Sequence, residues 1–148
     1  MDKGGIYRYK LNTLNQALWG FEKSLAIDIA GKEEIEADTI KNGQALKFGY
    51  SVELLWKTAK AFLREEHGIE CNSPKSCIRS LFQNTTLDEK DGNQLLRMID
   101  QRNGLYQIYD QESFEEIWNS LGPNLELMKK AANLMSDKPD APENQRQA

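Results

Sequence analysis

The feature that most restricts this chain is the spacing of Phe48, Val52, Leu55, Ala59 and Phe62, which recur at 4-3-4-3. That rhythm matches the 3.6-residue turn of an α-helix and puts all five side chains on one face. Leu54, Trp56 and Leu63 widen the stripe. The spacing predicts a helix from about Asp38 to Glu66, stopped by Gly68, the residue type favoured where a helix ends in the left-handed conformation. Gly43 and Gly49 lie inside it. Each costs about 1 kcal/mol relative to alanine in a helix interior, so both are read as places where another helix comes close.

The rest of the chain repeats the same pattern. Leu14, Leu18, Phe21 and Leu25 predict a helix over Asn12 to Ile29, capped by Asn12 or Thr13. The charged run from Lys32 to Asp38 is either a loop or an exposed helical turn. Ser73-Pro74 is a start signal, with Ser as N-cap and Pro at the first helical position. A short helix follows through Cys77, Ile78, Leu81 and Phe82. Asn84 to Asn93 is polar, with Asp91-Gly92 as its clearest break. Leu95, Met98 or Ile99, Arg102, Tyr106 and Tyr109 define a helix from about Asn93 to Tyr109.

Ser113 followed by Glu116 reads as a capping box. The stripe Phe114, Trp118, Leu121, Leu125, Met128, Ala132 and Met135 then continues across Gly122-Pro123, which predicts one kinked helix. The two longest helices are therefore expected near Asp38–Glu66 and Ser113–Met135. The tail from Ser136 to Ala148 holds two prolines and no stripe, and is expected to be disordered. No strand alternation of useful length appears. Residues 1–135 are thus predicted to form an all-α antiparallel four-helix bundle with an additional short helix.

A chain of 148 residues is large enough for one continuous core. It has no apolar run of the ~18 residues needed to cross a bilayer and no basic segment leading into an apolar stretch at its start, so a cytoplasmic location without membrane contact is expected. Its net charge of −4 provides no basic stripe for duplex nucleic acid. Cys71, Cys77 and the only histidine, His67, lack a C-x2-C unit. The expectation is reduced thiols around a loop, with no metal and no cofactor.

The chemistry concentrates in residues 98–109. Arg102 falls in a slot where the rhythm calls for an apolar residue. Tyr106 and Tyr109 follow at helical spacing on the same face, and Asn103 and Gln107 line an adjacent one. Two readings stay open: Arg102 pairs with a carboxylate of another helix while the tyrosines pack in the core, or the group forms a binding site for phosphate.

The order of features resembles the nucleotidyltransferase substrate-binding family, a branch of the HEPN superfamily. Three blocks carry the resemblance: Phe48 to Lys60 with its Glu-Leu-x-Trp-Lys core, Ser73-Pro74, and Asp91-Gly92 followed by Met98, Arg102-Asn103 and Tyr109-Asp110. With the first and last helices, the match spans about Leu11 to Met135. It implies a helical partner of a minimal nucleotidyltransferase, assembled as a homodimer with Arg102 near the twofold contact. It further implies that Arg102, Asn103, Tyr106 and Gln107 bind a nucleotide, RNA or other phosphate-bearing substrate. Tyr109 is either a nucleotide acceptor, as in toxin–antitoxin pairs of this kind, or a packed phenol. Lys57 and Glu53 are candidates for partner contact, and Glu53 can pair with Lys57 or Arg102.

One position departs from the pattern. Nuclease-competent members read Arg-Asn-x-x-x-His-x-Tyr, and here Gln107 stands at the histidine. A glutamine amide does not titrate usefully, so it cannot act as the acid or base of metal-independent RNA cleavage. His67, at the end of another helix, is a poor substitute. The resemblance therefore favours a non-catalytic binding subunit. The alternative is a metal-independent ribonuclease toxin of a toxin–antitoxin pair.

Overall fold

In a computed structural model, which describes residues 5–107 and 110–136, the strongest apolar stripe lies on α2 (Glu34–His67). At 34 residues this helix is about 50 Å long. The other helices are α1 (Gly5–Leu25), α3 (Pro74–Gln83), α4 (Glu89–Leu105), α5 (Gln111–Asn119) and α6 (Leu121–Leu134). No strand occurs among the described residues. The all-α bundle is as expected, with α1, α2, α4 and α6 as its main helices. The expected disordered tail lies outside the described residues from position 137 onward.

Phe48, Val52, Leu55, Ala59 and Phe62 are all buried. α1 runs antiparallel to α2: Tyr7 near its start meets Phe62, and Phe21 near its end meets Phe48, with ring centroids 5.3 and 6.2 Å apart. Leu95, Met98 and Ile99 of α4 and Leu125, Met128 and Ala132 of α6 complete the core. Fully burying a side chain of the Leu, Ile, Phe or Met type contributes about 1.5–3 kcal/mol. α4 and α6 are also antiparallel, with Asp91 paired to Lys130 at 2.7 Å and Gln101 donating to Ser120 Oγ at 3.1 Å.

Several boundaries differ from the sequence expectation, each for a local reason. α1 begins seven residues before Asn12, and Tyr7 and Leu11 extend its buried stripe. Its first turn is capped from a distance: the Tyr7 backbone N–H donates to Glu65 at the far end of α2, at 3.2 Å to Oε2. Thr13 is no cap, since its hydroxyl donates to the Tyr9 carbonyl within the helix. α2 begins with a capping box in which Glu33 and Glu36 satisfy each other's backbone N–H groups. It ends at Gly68 with φ +66°, as expected. Gly49 is buried against Arg102, whereas Gly43 has open space around it and serves no close approach.

α3 starts at Ser73-Pro74 as the sequence indicates. Asp91-Gly92, read as a break, instead lies in the first turn of α4, because Asp88 caps that helix through its carboxylate on the Asp91 N–H at 2.7 Å. At the other end α4 stops at Leu105, four residues short of Tyr109. Asp110, not Ser113, caps α5, accepting from the Ser113 N–H at 2.7 Å and hydroxyl at 3.0 Å. The expected kinked helix is two helices divided at Ser120, whose hydroxyl donates to the Ile117 carbonyl. Pro123 has no N–H to give the Asn119 carbonyl, so the ladder is interrupted there. The second longest helix is consequently α1 rather than the last segment.

Cys71 and Cys77 are joined in a disulfide, in place of the reduced thiols expected. Cys71 lies in the loop after α2 and Cys77 in the first turns of α3, which brings their Cα atoms to 5.2 Å, within the range a disulfide spans. By the chain-entropy argument, closing so short a loop stabilises the fold by about 2 kcal/mol. Urea unfolding is therefore expected to give a stability lower by that amount under reducing conditions. Identical midpoints with and without reductant would mean that no bridge forms.

Gly92 faces the Phe82 ring so closely that an added Cβ would lie 2.4 Å from Cδ2. Gly92→Ala gains about 1 kcal/mol of helix propensity but overpacks at about 1–3 kcal/mol. A net loss of about 1 kcal/mol is expected in chemical denaturation, reversed in sign when Phe82→Leu makes room. A stabilised Gly92→Ala with Phe82 intact would contradict the packing.

Candidate functional site

Arg102 lies in the last turn of α4 and reaches across α2 at Gly49, where a Cβ would stand 3.7 Å from Arg102 Cγ. The side chain is 21% exposed. One terminal nitrogen forms an ion pair with Glu53 of α2. The other donates to Asn103 Oδ1 at 3.0 Å. Nε is buried and has no hydrogen-bond partner among the described residues. The guanidinium carbon sits 5.6 Å from the centroid of the Tyr106 ring, within reach of a cation–π attraction. Of the two readings of Arg102, pairing with a carboxylate of another helix is the one present.

Glu53 gathers three donors. Besides Arg102, it accepts from Trp56 Nε1 at 3.2 Å and pairs with Lys57 Nζ at 3.0 Å. Partial burial pushes its carboxyl upward, but Lys57, Trp56 and Arg102 together outweigh that and hold it below the usual carboxylate range. Trp56, expected in the core, packs against it and turns its indole N–H to Glu53. Lys57 has an exposed ammonium held by Glu53.

Beside Arg102 opens a cleft of about 300 Å³ lined by Asn42, Leu46, Gly49, Tyr106 and Phe114 among others. Its rim is apolar and exposed: Leu46 and Tyr106 are each 71% exposed, and nearby Tyr50 56%. Leu46, Gly49 or Tyr50, Glu53 and Lys57 follow helical spacing on the outer face of α2. A larger depression of about 500 Å³ between the starts of α2 and α5 has Glu34, Asp38 and Lys41 in its lining. Lys41 is already paired with Glu115, and the depression brings no candidate residues together.

Of the residues singled out from sequence, Arg102, Asn103, Tyr106, Glu53 and Lys57 come together. Tyr106 keeps its position over Arg102, but in the turn beyond α4 and exposed rather than packed in the core. Gln107 lies in that exposed turn, its N–H on the Gly104 carbonyl at 2.9 Å, and so leaves the helical face on which it was expected. Tyr109 lies outside the described residues. His67 closes α2 with its ring 5.2 Å from that of Phe62. Among the described residues no cluster of metal-ligating side chains forms, and no helix is long and apolar enough to cross a membrane. Sequence reading did not single out Asn42 or Leu46, and placed Phe114 only in the apolar stripe of the last helix. Leu46 and Tyr50, one turn apart and offset from the core stripe, were the signal for Leu46.

The depressed Glu53 carboxyl sets a pH dependence. A group whose folded value lies below its unfolded value stabilises the fold above the unfolded value, about 4.3 for glutamate. It loses that contribution as pH falls through the folded value. Glu53→Gln is therefore expected to cost about 1 kcal/mol near pH 6 and progressively less toward pH 3, read from urea midpoints. A cost independent of pH would show that the charge of Glu53 contributes nothing.

The fold is shared with a solved structure of a protein from Thermus thermophilus. The two are 23% identical, the match covers 82% of this chain and 98% of the other, and the TM-score is 0.73. None of the curated proteins matches the chain. Residues 9–137 match the family described as nucleotidyltransferase substrate binding protein like, a span that takes in all six helices except the first turn of α1. On that match, the chain belongs to the nucleotidyltransferase substrate binding protein-like family.

Proposed function

We propose that the chain is the non-catalytic, substrate-binding partner subunit of a minimal nucleotidyltransferase, and that it binds nucleotide or another phosphate-bearing group at Arg102. The observation that carries this reading is the state of Arg102. It is largely buried, its Nε has no hydrogen-bond partner among the described residues, and it borders a cleft with an apolar rim. A guanidinium is suited to gripping phosphate through two parallel N–H groups. Asn103 and Tyr106 flank it, and Gln107, in the exposed turn that follows, carries no titrating group. Family membership supports the link to a nucleotidyltransferase.

The exposed stripe of Leu46 and Tyr50, continued by Tyr106, further supports a homodimer built on the outer face of α2, with Glu53 and Lys57 at its edge. Large apolar side chains grouped on one face are a common mark of an interaction surface. Tyr109, which lies outside the described residues, is the proposed nucleotide acceptor in this assembly.

The test is co-purification with a minimal nucleotidyltransferase, one carrying a Gly-Ser followed by an Asp-x-Asp pair, to be sought in the adjacent reading frame. A stable complex is expected, and the isolated chain is expected to sediment at twice its 16.9 kDa at micromolar concentration. Leu46→Glu combined with Tyr50→Glu is expected to yield monomer. A chain that stays monomeric at 16.9 kDa and does not bind that nucleotidyltransferase would refute the reading.

A further inference from the structure

We propose that Glu53 is an internal anion standing where a ligand phosphate binds Arg102, and that the ligand which displaces it is a nucleotide whose base enters the Leu46–Tyr106–Phe114 cleft. This rests on the proposed reading of Arg102 as the substrate site and specifies the ligand and the means of its selection.

The hydrogen-bond inventory carries the exchange. An arginine fork normally engages an anion through two neighbouring N–H groups at once. Here Glu53 takes one terminal nitrogen and Asn103 the other, and buried Nε has no partner among the described residues. The Glu53 carboxylate is divided between Arg102, Lys57 on its own helix and the Trp56 indole. Glu53 thus matches the charge of Arg102 but not its donor set. A phosphate has three terminal oxygens. Two can engage Nε and a terminal nitrogen of Arg102 while the third turns to Lys57, the second cation already drawn to this point. Glu53 has a route out, since its side chain is 27% exposed.

The adjoining cleft restricts what the phosphate is attached to. Ala45, Leu46, Leu105 and Phe114 give it apolar walls, Tyr106 adds an aromatic ring, and among its described lining residues Asn42 is the one side-chain amide. At about 300 Å³ it is at the small end of ligand sites. Apolar and aromatic walls, one amide able to donate and accept, and an arginine at the edge suit a flat heteroaromatic base carrying a phosphate. An internal competitor also raises the threshold for entry. A monoanion gains little by replacing Glu53, whereas a phosphate monoester carries about −1.5 to −2 near pH 7. Glu53 would thereby select doubly charged phosphate over carboxylates.

Calorimetric titration of the full chain with inorganic phosphate, and separately with the four ribonucleoside 5′-monophosphates, tests this. At least one nucleotide is expected to bind more tightly than inorganic phosphate. Glu53→Gln is expected to tighten both ligands by about tenfold, and Glu53→Asp, which keeps the charge but shortens the reach to Arg102, to tighten them less. Arg102→Ala should abolish both. Leu46→Ala or Phe114→Ala should narrow the ratio of nucleotide to phosphate affinity several-fold. Thermal unfolding of each variant confirms that it is folded. Arg102-dependent binding that Glu53→Gln leaves unchanged or weakens would overturn the exchange while leaving the substrate site in place. Absence of binding in both wild type and Glu53→Gln would overturn the two readings together. If Leu46→Ala and Phe114→Ala both leave the affinity ratio unchanged, the placement of the base is wrong.

Discussion

The apolar stripe of α2 lies in the core, and each of the other five helices touches α2. Phe48, Val52, Leu55, Ala59 and Phe62 are buried along four turns, and no other element is long enough to meet all its neighbours. A helix in isolation gains little from its own hydrogen bonds, so most of its stability comes from burying such a face. α1 doubles back along α2, and Glu65 near the end of α2 caps the first turn of α1. α2 therefore supplies both the core surface and a polar terminus for its neighbour. Weakening this stripe would loosen the packing of α2 against its neighbours, leaving contacts such as α3 with α4 and α1 with α6 to hold the rest.

The same helix presents the candidate site on its other side. Glu53 lies one residue after the buried Val52, and its carboxylate organises Arg102, Trp56 and Lys57. Gly49, one turn earlier, leaves the space that Arg102 crosses. Core packing fixes the rotation of α2, and that rotation fixes where Glu53 points. The pairing of Glu53 with Arg102 thus depends on hydrophobic burial rather than on attraction between the two charges, since partly exposed ion pairs contribute little alone. Among the described residues it leaves the buried Nε of Arg102 without a hydrogen-bond partner, which natural proteins give to most such groups.

Much of the architecture was legible because helices with one buried face leave a periodic trace. The stripes on α1, α2, α4 and α6, the Gly68 stop and the Ser73-Pro74 start were read directly. Boundaries were misread where two chemically adequate signals competed. Asp110 and Ser113 are both fit to cap a helix, and Asp110 does so while Ser113 donates to it. Asp88 likewise starts α4 ahead of Asp91-Gly92. Gly92 looked like a break because glycine is usually tolerated for its backbone, but here it is required by the Phe82 ring.

By itself, the sequence determined the helical class, the principal core positions, the place of Arg102 on a largely buried face and the absence of a titrating histidine at position 107. These follow from local periodicity and side-chain chemistry, which do not depend on distant neighbours. Only the tertiary structure decided that Arg102 meets Glu53 across 49 residues of chain, that Cys71 and Cys77 form a bridge, that Tyr7 is capped by Glu65, and that Leu46 and Phe114 share a cleft. Each of those contacts depends on how packed helices are rotated and where they end. A one-dimensional pattern gives the spacing of side chains along each helix but not the angle at which one helix faces the next.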